Sequence, residues 1–248
     1  MTTIVTGGTK GIGLAIADRL ARSGRPIVLG YASDEAAAGA AVARLKAKGA
    51  NACAVRADVG TIAGAAALID AAAAFGEGID ALIHSAAMIY PTTLLEADLE
   101  RFTQAVHTNG LSLLYLVQKA SPLLEFGASI VFITSAGARA PQPRYAALGV
   151  GKALAEALVK YLVMELAPRG IRINAVAPGL VETTSVATML GSEEAAQRLF
   201  ERAARANPSG RLTRDGDYAS LVEYLVSPAA EFVQGQVIHA NGGAYVAP

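Results

Sequence analysis

Two side chains suited to proton chemistry, Tyr145 and Lys152, stand seven residues apart at the start of an apolar helical pattern, residues 146–166. Seven residues turn an α-helix through about 700°, so the two side chains share a face with about 10.5 Å of rise between them. We expect the lysine charge to lower the pKa of the tyrosine phenol. Ser135 stands ten residues before Tyr145, directly after a predicted strand.

A glycine-rich loop occupies residues 7–13, after a short apolar run and before the first helical pattern. Glycines allow a tight turn and a close approach to a pyrophosphate, and the helix N-terminus offers free N–H groups and the positive end of its dipole. The position between a strand and a helix distinguishes this loop from an ordinary turn. We therefore predict that a dinucleotide binds here, on Gly7, Thr9, Lys10, Gly11, Ile12 and Gly13.

The second predicted strand ends in the residues Val28-Leu29-Gly30-Tyr31-Ala32-Ser33, without the carboxylate that usually binds an NAD ribose. Lys10 lies in the phosphate loop, and a cation without a competing carboxylate favours a 2′-phosphate. We therefore expect NADPH, with Ser33 beside the ribose. Asp34 stands too late for the usual spacing, and it leaves NADH as the alternative.

Short β-branched runs alternate with Ala/Leu-rich helical patterns along the whole chain, which predicts βαβ units in a parallel sheet. The strands are apolar throughout, as in a sheet that is covered on both faces. We predict a doubly wound, Rossmann-like α/β fold in a single domain, residues 1–248. The predicted strands are residues 4–6, 27–29, 52–56, 79–84, 129–134, 171–176 and 236–240. The predicted helices are residues 12–22, 35–48, 62–75, 95–106, 111–124, 146–166, 193–206 and 217–225.

Composition narrows the class of protein. Lys plus Arg and Asp plus Glu both number 21, so the sequence carries no net charge that would favour nucleic acid or an acidic membrane. One cysteine, no signal-peptide pattern at the N-terminus and no apolar run of membrane-spanning length predict a soluble, cytoplasmic protein. We expect no metal site, no membrane partner and no nucleic-acid partner.

Several further segments stand in a fixed order along the chain. Besides the glycine loop, the sequence resembles the short-chain dehydrogenase/reductase family in Asp58-Val59, Asn109, Ser135, Tyr145, Lys152, Pro178-Gly179 and Asn241-Gly242-Gly243. The resemblance implies an oxidoreductase in which Asp58 and Val59 border the adenine. It also implies that Ser85 and Ala86 pass the cofactor riboses and that Lys152 binds the nicotinamide ribose. By the same resemblance, Pro178, Gly179, Val181 and Thr183 surround the nicotinamide.

In two places the chain departs from the family's usual pattern. His84-Ser85-Ala86-Ala87 replaces the usual Asn-Asn-Ala-Gly, and we expect His84 to be a hydrogen-bonded core residue rather than a catalyst. Most members have tyrosine and lysine four residues apart and serine thirteen before the tyrosine. The longer spacing from tyrosine to lysine resembles that of NADPH-dependent, type III enoyl-acyl-carrier-protein reductases. The shorter spacing from serine to tyrosine, ten residues, leaves open whether Ser135 is catalytic or only borders the substrate. In the family, Asn109 would hold a water and a helical kink; helix capping is its alternative.

The chemistry that fits the longer spacing is reduction of the double bond of an enoyl thioester. Hydride then goes to Cβ while charge builds on the more distant carbonyl oxygen, to which Tyr145 would donate a hydrogen bond. The alternatives are a ketone or alcohol oxidoreductase similar to 3-oxoacyl-acyl-carrier-protein reductases, and a dinucleotide sensor without catalysis.

Residues 180–211 interrupt the βαβ rhythm after a strand's C-terminal end, where substrate loops of open α/β sheets lie. Their apolar side chains fit either an acyl lid or a helix packed on its own core. The predicted substrate is a small molecule or an acyl group on a carrier protein. The resemblance further implies a homodimer or homotetramer through helices 111–124 and 146–166.

Overall fold

The computed structural model describes residues 1–21 and 25–246 of the chain. In these residues, seven strands form one parallel sheet in the order β3-β2-β1-β4-β5-β6-β7. The doubly wound fold predicted from the alternating pattern is confirmed. The strands are β1 (Thr2–Thr6), β2 (Ile27–Tyr31), β3 (Ala52–Arg56), β4 (Ile79–His84), β5 (Leu124–Ile133), β6 (Arg172–Pro178) and β7 (Val237–Ala240).

Helices connect the strands and cover both faces of the sheet. They are α1 (Gly11–Leu20), α2 (Glu35–Ala47), α3 (Ile62–Phe75), α4 (Leu99–Val106), α5 (Ser112–Ala120), α6 (Ala146–Leu166), α7 (Thr184–Leu190), α8 (Glu193–Ala206) and α9 (Asp215–Val226). Helices α3, α5 and α6 pack on one face of the sheet, and α1, α2 and α9 pack on the other. Arg22, where the first predicted helix ends, lies outside the described residues.

Polar residues at the helix starts explain most of the boundaries. Side-chain oxygens of Asp34, Thr61 and Asp98 accept backbone N–H bonds at the starts of α2, α3 and α4. The cap at Asp98 moves the start of α4 from the predicted residue 95 to Leu99. The predicted helix 111–124 is shorter, because a 3₁₀ turn with Pro122 follows Ala120 and leads into β5.

The site of ligand binding follows from the strand order. The chain leaves β1 to one side for β2 and β3, then returns to place β4 on the other side of β1. Open α/β sheets bind ligands in the crevice at such a switch point, outside the carboxyl ends of the strands. The glycine loop follows β1 and residues 85–86 follow β4, so both lie at this crevice.

Candidate active site

The glycine loop has the geometry of a phosphate cradle. Gly7 and Gly11 have positive φ angles of 60° and 50°, which glycine adopts without strain. A Cβ on Gly13 would lie 2.2 Å from the Gly7 carbonyl oxygen, so the turn has no room for a side chain. The first turn of α1 contains no acid and no side-chain cap. Its N–H groups therefore remain available to an anion, and the loop fits a dinucleotide pyrophosphate.

The remaining predicted loop residues, Thr9, Lys10 and Ile12, line the same turn. Lys10 Nζ lies 2.6 Å from Asp34 Oδ2, and both side chains are largely exposed. Although Asp34 stands later in the chain than the usual ribose-binding acid, its carboxylate reaches the glycine loop. The chain turns back after β2 to place Asp34 as the cap of α2, and this brings its carboxylate to the loop. Ser33 is exposed beside it.

Arg56, at the end of β3, donates from Nε to the Ala32 carbonyl oxygen at 3.2 Å. The pattern of apolar residues in β3 gave no signal for this second cation near the β2 terminus. The Lys10 hydrogen bond lowers the pKa of Asp34, with help from the Ala37 N–H. The corner that would receive the adenosine ribose thus carries cations together with one carboxylate.

Asp58 and Val59 lie where the resemblance implies, after β3 and beside the crevice. Asp58 Oδ1 accepts a hydrogen bond from the Gly60 N–H at 3.0 Å, and Val59 is buried. An open groove of about 480 Å³ lies between this turn and α4. Asp58 lines it, which leaves the carboxylate accessible from the cofactor side.

The segments that would hold the ribose and the nicotinamide close around the glycine loop. Ser85 and Ala86 donate their backbone N–H groups to Thr6 Oγ1 at 3.1 and 3.0 Å. A Cβ on Gly7 would lie 2.9 Å from Ala86 Cα, so the loop and this segment are in direct contact. Thr183 approaches the loop from the other side, with Cγ2 3.5 Å from where a Gly11 Cβ would stand.

Pro178, Gly179 and Val181 connect Thr183 to the end of β6, as the resemblance implies. Pro178 and Val181 are buried or nearly so, and a Cβ on Gly179 would lie 2.3 Å from Thr213 Oγ1. The Gly179 N–H donates to the Ala240 carbonyl oxygen at the neighbouring strand end. These contacts hold the start of the segment against β7, and Thr183 at its other end lies beside the glycine loop.

Tyr145 and Ser135 form a hydrogen-bonded pair. The Tyr145 phenol donates to Ser135 Oγ at 3.1 Å, and Ser135 Oγ also accepts from the Gly137 N–H at 3.1 Å. The serine proton is therefore free to bond a substrate oxygen. Burial raises the pKa of Tyr145, and the Ser135 hydrogen bond opposes that rise. A Cβ on Gly137 would lie 2.4 Å from Tyr145 Cε1, so only glycine accommodates the ring here.

Lys152 lies on the buried face of α6. Its Nζ donates to the Ile133 carbonyl oxygen at 2.7 Å and lies 4.5 Å from the centre of the Phe132 ring. Burial lowers its pKa to about 7. The expectation that Lys152 lowers the pKa of Tyr145 was wrong. Its ammonium is directed to the strand, and burial dominates the pKa of the phenol.

Sequence reasoning missed two features that hold these groups. Glu156, one turn after Lys152, accepts hydrogen bonds from Thr134 Oγ1 at 2.7 Å and Arg139 Nε at 2.8 Å. A lone acid on the buried face of an apolar helix was the available signal. Arg144 has a φ of 58°, which is strained for a residue with a side chain. This turn directs the chain into Tyr145, which immediately precedes α6 rather than lying within it.

Asn109 lies in a turn of π-helix, His107–Leu111, between α4 and α5. Its side chain accepts from the Met88 N–H at 2.8 Å and donates to the Met88 carbonyl oxygen at 3.0 Å. The asparagine therefore does not cap a helix. It stands at a kink in the helix and holds the segment after β4.

Comparison with known proteins agrees with this geometry. A family model described as Enoyl-(Acyl carrier protein) reductase matches residues 7–245. An uncharacterised oxidoreductase of Methylorubrum extorquens is 37% identical over 242 residues, which cover 97% of this chain and 96% of the relative. The chain belongs to the short-chain dehydrogenase/reductase family. It is therefore an oxidoreductase that uses a nicotinamide dinucleotide, and the glycine loop and the two flanking segments fit that cofactor.

Other relatives in the short-chain dehydrogenase/reductase family differ in their named activities. A 3-oxoacyl-[acyl-carrier-protein] reductase of Staphylococcus aureus is 31% identical, covering 99% of this chain and 98% of its own. Among solved structures, a dehydrogenase/reductase from Sinorhizobium meliloti has a TM-score of 0.89 at 31% identity, with 99% and 95% of the two chains covered.

Two further structures bear on cofactor and substrate. A short-chain dehydrogenase from Burkholderia cenocepacia in complex with NADP has a TM-score of 0.87 at 29% identity, covering 98% of this chain and 96% of its own. An enoyl-[acyl-carrier-protein] reductase (NADH) from Aquifex aeolicus has a TM-score of 0.87 at 25% identity, covering 99% and 97%. Across residues 1–21 and 25–246, no helix combines the length and apolar character needed to cross a membrane.

Proposed function

We propose that the protein reduces the α,β double bond of an enoyl thioester with NADPH. The observation that carries the proposal is the placement of Tyr145. Its phenol donates a hydrogen bond to Ser135, and the residue immediately precedes α6. The helix position four residues before Lys152 holds the buried, apolar Leu148 instead. No hydroxyl therefore occupies the place from which most of the family protonates a ketone.

The distance along the substrate explains why this placement suits an enoyl group. A ketone takes hydride on the carbon that carries the oxygen, so the proton donor must stand close to the hydride. In an enoyl thioester the oxygen that gains charge is three bonds from Cβ, which takes the hydride. Seven residues of helix rise about 10.5 Å against about 6 Å for four, so Tyr145 is set back by roughly one turn.

When bound on the glycine loop, the dinucleotide would supply a hydride for Cβ of the substrate. As the π electrons of the double bond move toward the thioester, Tyr145 donates a hydrogen bond to the carbonyl oxygen and stabilises the enolate. Ser135 accepts from Tyr145 and holds the phenol in place, and its own proton is free for the same oxygen. A proton from solvent then adds to Cα and completes the saturated product. Lys152 binds the nicotinamide ribose, and it thereby fixes how deep in the site the Cβ atom of the substrate must lie.

A ketone or alcohol oxidoreductase is the second candidate. The Ser135–Tyr145 hydrogen bond and the 31% identity to a 3-oxoacyl-[acyl-carrier-protein] reductase favour it. The description of the matching family model and the position of Leu148 favour the enoyl substrate. A sensor without catalysis is disfavoured, because Tyr145, Ser135 and Lys152 are all present in one site.

NADPH is the proposed cofactor because Lys10 lies at the ribose corner, and a structural relative was solved with NADP. The 2′-phosphate of NADPH would replace Asp34 as the ion-pair partner of Lys10, and Arg56 lies nearby as a second cation. A carboxylate at this corner also accepts ribose hydroxyls, so NADH remains usable at lower efficiency.

The proposed substrate is an acyl group on a small thiol or on a carrier protein. Helices α7 and α8, within residues 180–211, follow the nicotinamide segment and would cover the acyl chain. The proposed assembly is a homodimer or homotetramer. An exposed stripe on α6 supports it, since large side chains lie unburied along one face at Val150, Tyr161 and Met164.

The test is NADPH oxidation with crotonyl and acetoacetyl thioesters side by side. We expect reduction of the crotonyl thioester, with kcat falling by about a hundredfold in Tyr145→Phe because an oxyanion donor is lost. Tyr224→Phe, at an exposed tyrosine of α9 outside that stripe, is the matched control and should retain activity. Reduction of the acetoacetyl thioester alone would contradict the proposal and support the second candidate.

A further inference from the structure

His84 is fully buried at the end of β4, and both of its ring nitrogens are hydrogen-bonded. Nδ1 lies 2.9 Å from Thr6 Oγ1, and Nε2 lies 2.5 Å from Ser112 Oγ. Ser112 donates its own proton to the Thr108 carbonyl oxygen, so it must accept from the imidazole. The ring is therefore neutral with its proton on Nε2, and Thr6 donates to Nδ1.

The Thr6 side of this chain of bonds reaches the cofactor cradle. Thr6 is the last residue of β1, and Gly7 of the phosphate loop follows it. Because its proton goes to His84, Thr6 Oγ1 presents its lone pairs to the N–H groups of Ser85 and Ala86. The imidazole thus orients a hydroxyl that connects the glycine loop to the ribose segment.

The Ser112 side reaches the kink that carries Asn109. Ser112 begins α5 directly after the π-helical turn, and its bond to Thr108 spans that turn. The turn also abuts α6, since a Cβ on Gly151 would lie 2.6 Å from Asn109 Cβ. A shift of Ser112 would therefore move Asn109 relative to the helix that bears Lys152.

The environment of the ring keeps it neutral. Burial lowers the pKa of His84 to about 3, and the nearby charge of Lys152 acts in the same direction. Phe132 stands between the two, with its ring edge-on to His84 at 5.4 Å and beneath Lys152 Nζ. The imidazole therefore has no role as an acid or base, and its contribution is geometric.

We infer that His84 is a positioning residue that fixes the cofactor cradle, through Thr6, relative to the Asn109 turn, through Ser112. The usual residue of the family at this place, asparagine, is too short to span both hydroxyls. The inference rests on the proposed placement of the cofactor beside Ser85 and Ala86, and it does not depend on which acyl substrate is reduced.

Two substitutions test separately the contact of His84 with Thr6 and its contact with Ser112. The amide of asparagine falls near the Nδ1 position and that of glutamine near Nε2, so His84→Asn retains the Thr6 contact and His84→Gln retains the Ser112 contact. We expect His84→Gln to weaken NADPH binding about tenfold, as measured from nicotinamide fluorescence, with a smaller change in kcat. We expect His84→Asn to bind NADPH within about twofold of wild type and to lose about tenfold in kcat.

His84→Leu removes both contacts and should show both losses. His239→Leu is the matched control, because the ring nitrogens of His239 have no hydrogen-bond partner within the described residues. Wild-type NADPH affinity and kcat in a folded His84→Leu protein would overturn the inference, as would identical effects of the Asn and Gln variants. Failure of the wild type to reduce crotonyl thioesters would overturn the proposed substrate and leave the binding measurements to decide this inference.

Nitrogen NMR of labelled histidine provides a readout that does not depend on folding of a variant. We expect His84 in the wild type to show the tautomer with its proton on Nε2, unchanged between about pH 6 and pH 8. An Nδ1–H tautomer, or protonation in that range, would contradict the assignment of donors and with it the inference.

Discussion

The buried ammonium of Lys152 predicts a conflict between stability and activity. Lys152 is 4% exposed, and burial lowers its pKa from 10.5 to about 7. One pKa unit corresponds to about 1.4 kcal/mol, so this shift corresponds to roughly 5 kcal/mol of folding free energy lost by burying the charge. In the proposed mechanism this ammonium binds the nicotinamide ribose, which would explain a buried charge that costs the fold stability.

The perturbation is Lys152→Met, which removes the ammonium and keeps an unbranched side chain in the same space. The variant also loses the hydrogen bond to Ile133 and the contact with the Phe132 ring, together worth about 2 kcal/mol. We therefore expect the cofactor-free variant to be more stable than wild type by about 3 kcal/mol at pH 6. We expect its reductase activity to be lost.

The pH dependence separates this effect from ordinary repacking. The pKa of Lys152 is lower in the folded protein than in the unfolded chain, so the unfolded chain binds more protons between about pH 7 and pH 10.5. The destabilisation is complete below about pH 7 and is lost as the pH rises toward the unfolded pKa. Near pH 10 the variant should therefore be no more stable than wild type, and the lost contacts should make it slightly less stable.

Urea unfolding at fixed protomer concentration measures the difference. Circular dichroism is the suitable signal, because the chain contains no tryptophan. Lys160→Met, an exposed lysine on the same helix, is the control and should show no such pH dependence. A Lys152→Met protein that is less stable than wild type at pH 6, by an amount that stays the same at pH 10, would refute the reasoning.

Three further substitutions test the surrounding geometry. Asp34→Asn frees Lys10 from its ion pair, so the KM for NADPH should fall about threefold and that for NADH should rise, measured by initial rates; an unchanged ratio would exclude Asp34 from cofactor choice. Gly137→Ala places a methyl group against the Tyr145 ring, so kcat should fall at least about tenfold while the melting temperature stays nearly constant. Glu156→Gln removes the buried carboxylate that pairs with the half-buried Arg139 guanidinium, so urea unfolding should show a loss of about 1–3 kcal/mol; no loss would mean that the pair is not needed.

Periodicity predicted the parts of the fold whose burial repeats regularly. The bounds of β3, β4, α3, α6 and α8 agree with the predicted ranges, because in each of them apolar residues recur at regular spacing between turn residues. Strand β5 begins at Leu124 rather than at the predicted residue 129. The prediction missed these first residues because they include the exposed Phe126 and lack the apolar pattern. Helix α7 was absent from the prediction, because none of its residues is buried.

The site residues that could be found from the sequence were those fixed by local spacing, above all the glycine loop and the pair Tyr145 and Lys152. Contacts between separate loops could not be found in this way. Asp34 reaches Lys10, and Arg139 reaches Glu156, only after the chain has turned back on itself. The partners of His84 likewise depend on the packing of β1 and α5 around β4, and the sequence predicted only a hydrogen-bonded core residue without naming Thr6 or Ser112.

The residues at the end of β5 also show which of the three predicted catalytic residues, Ser135, Tyr145 or Lys152, departs from the family spacing. Ile133, Thr134 and Ser135 are consecutive, and each bonds α6 or the residue before it: Lys152, Glu156 and Tyr145 respectively. Serine and lysine are seventeen residues apart here, which is also their separation in the family pattern with serine thirteen before tyrosine and tyrosine four before lysine. The shorter distance from serine to tyrosine is therefore no argument against Ser135, because the tyrosine alone has shifted.

That shift has a chemical consequence. Ser135 and Lys152 keep the separation of the family pattern, while the tyrosine stands three residues earlier and the buried Leu148 occupies the usual tyrosine position. The Ser135 hydrogen bond pulls the displaced phenol back toward the substrate, and the glycines at 137 and 149 make room for its ring and for the turn. A donor set back in this way fits the proposed enoyl thioester, because the oxygen that gains charge in that substrate is remote from the carbon that accepts the hydride.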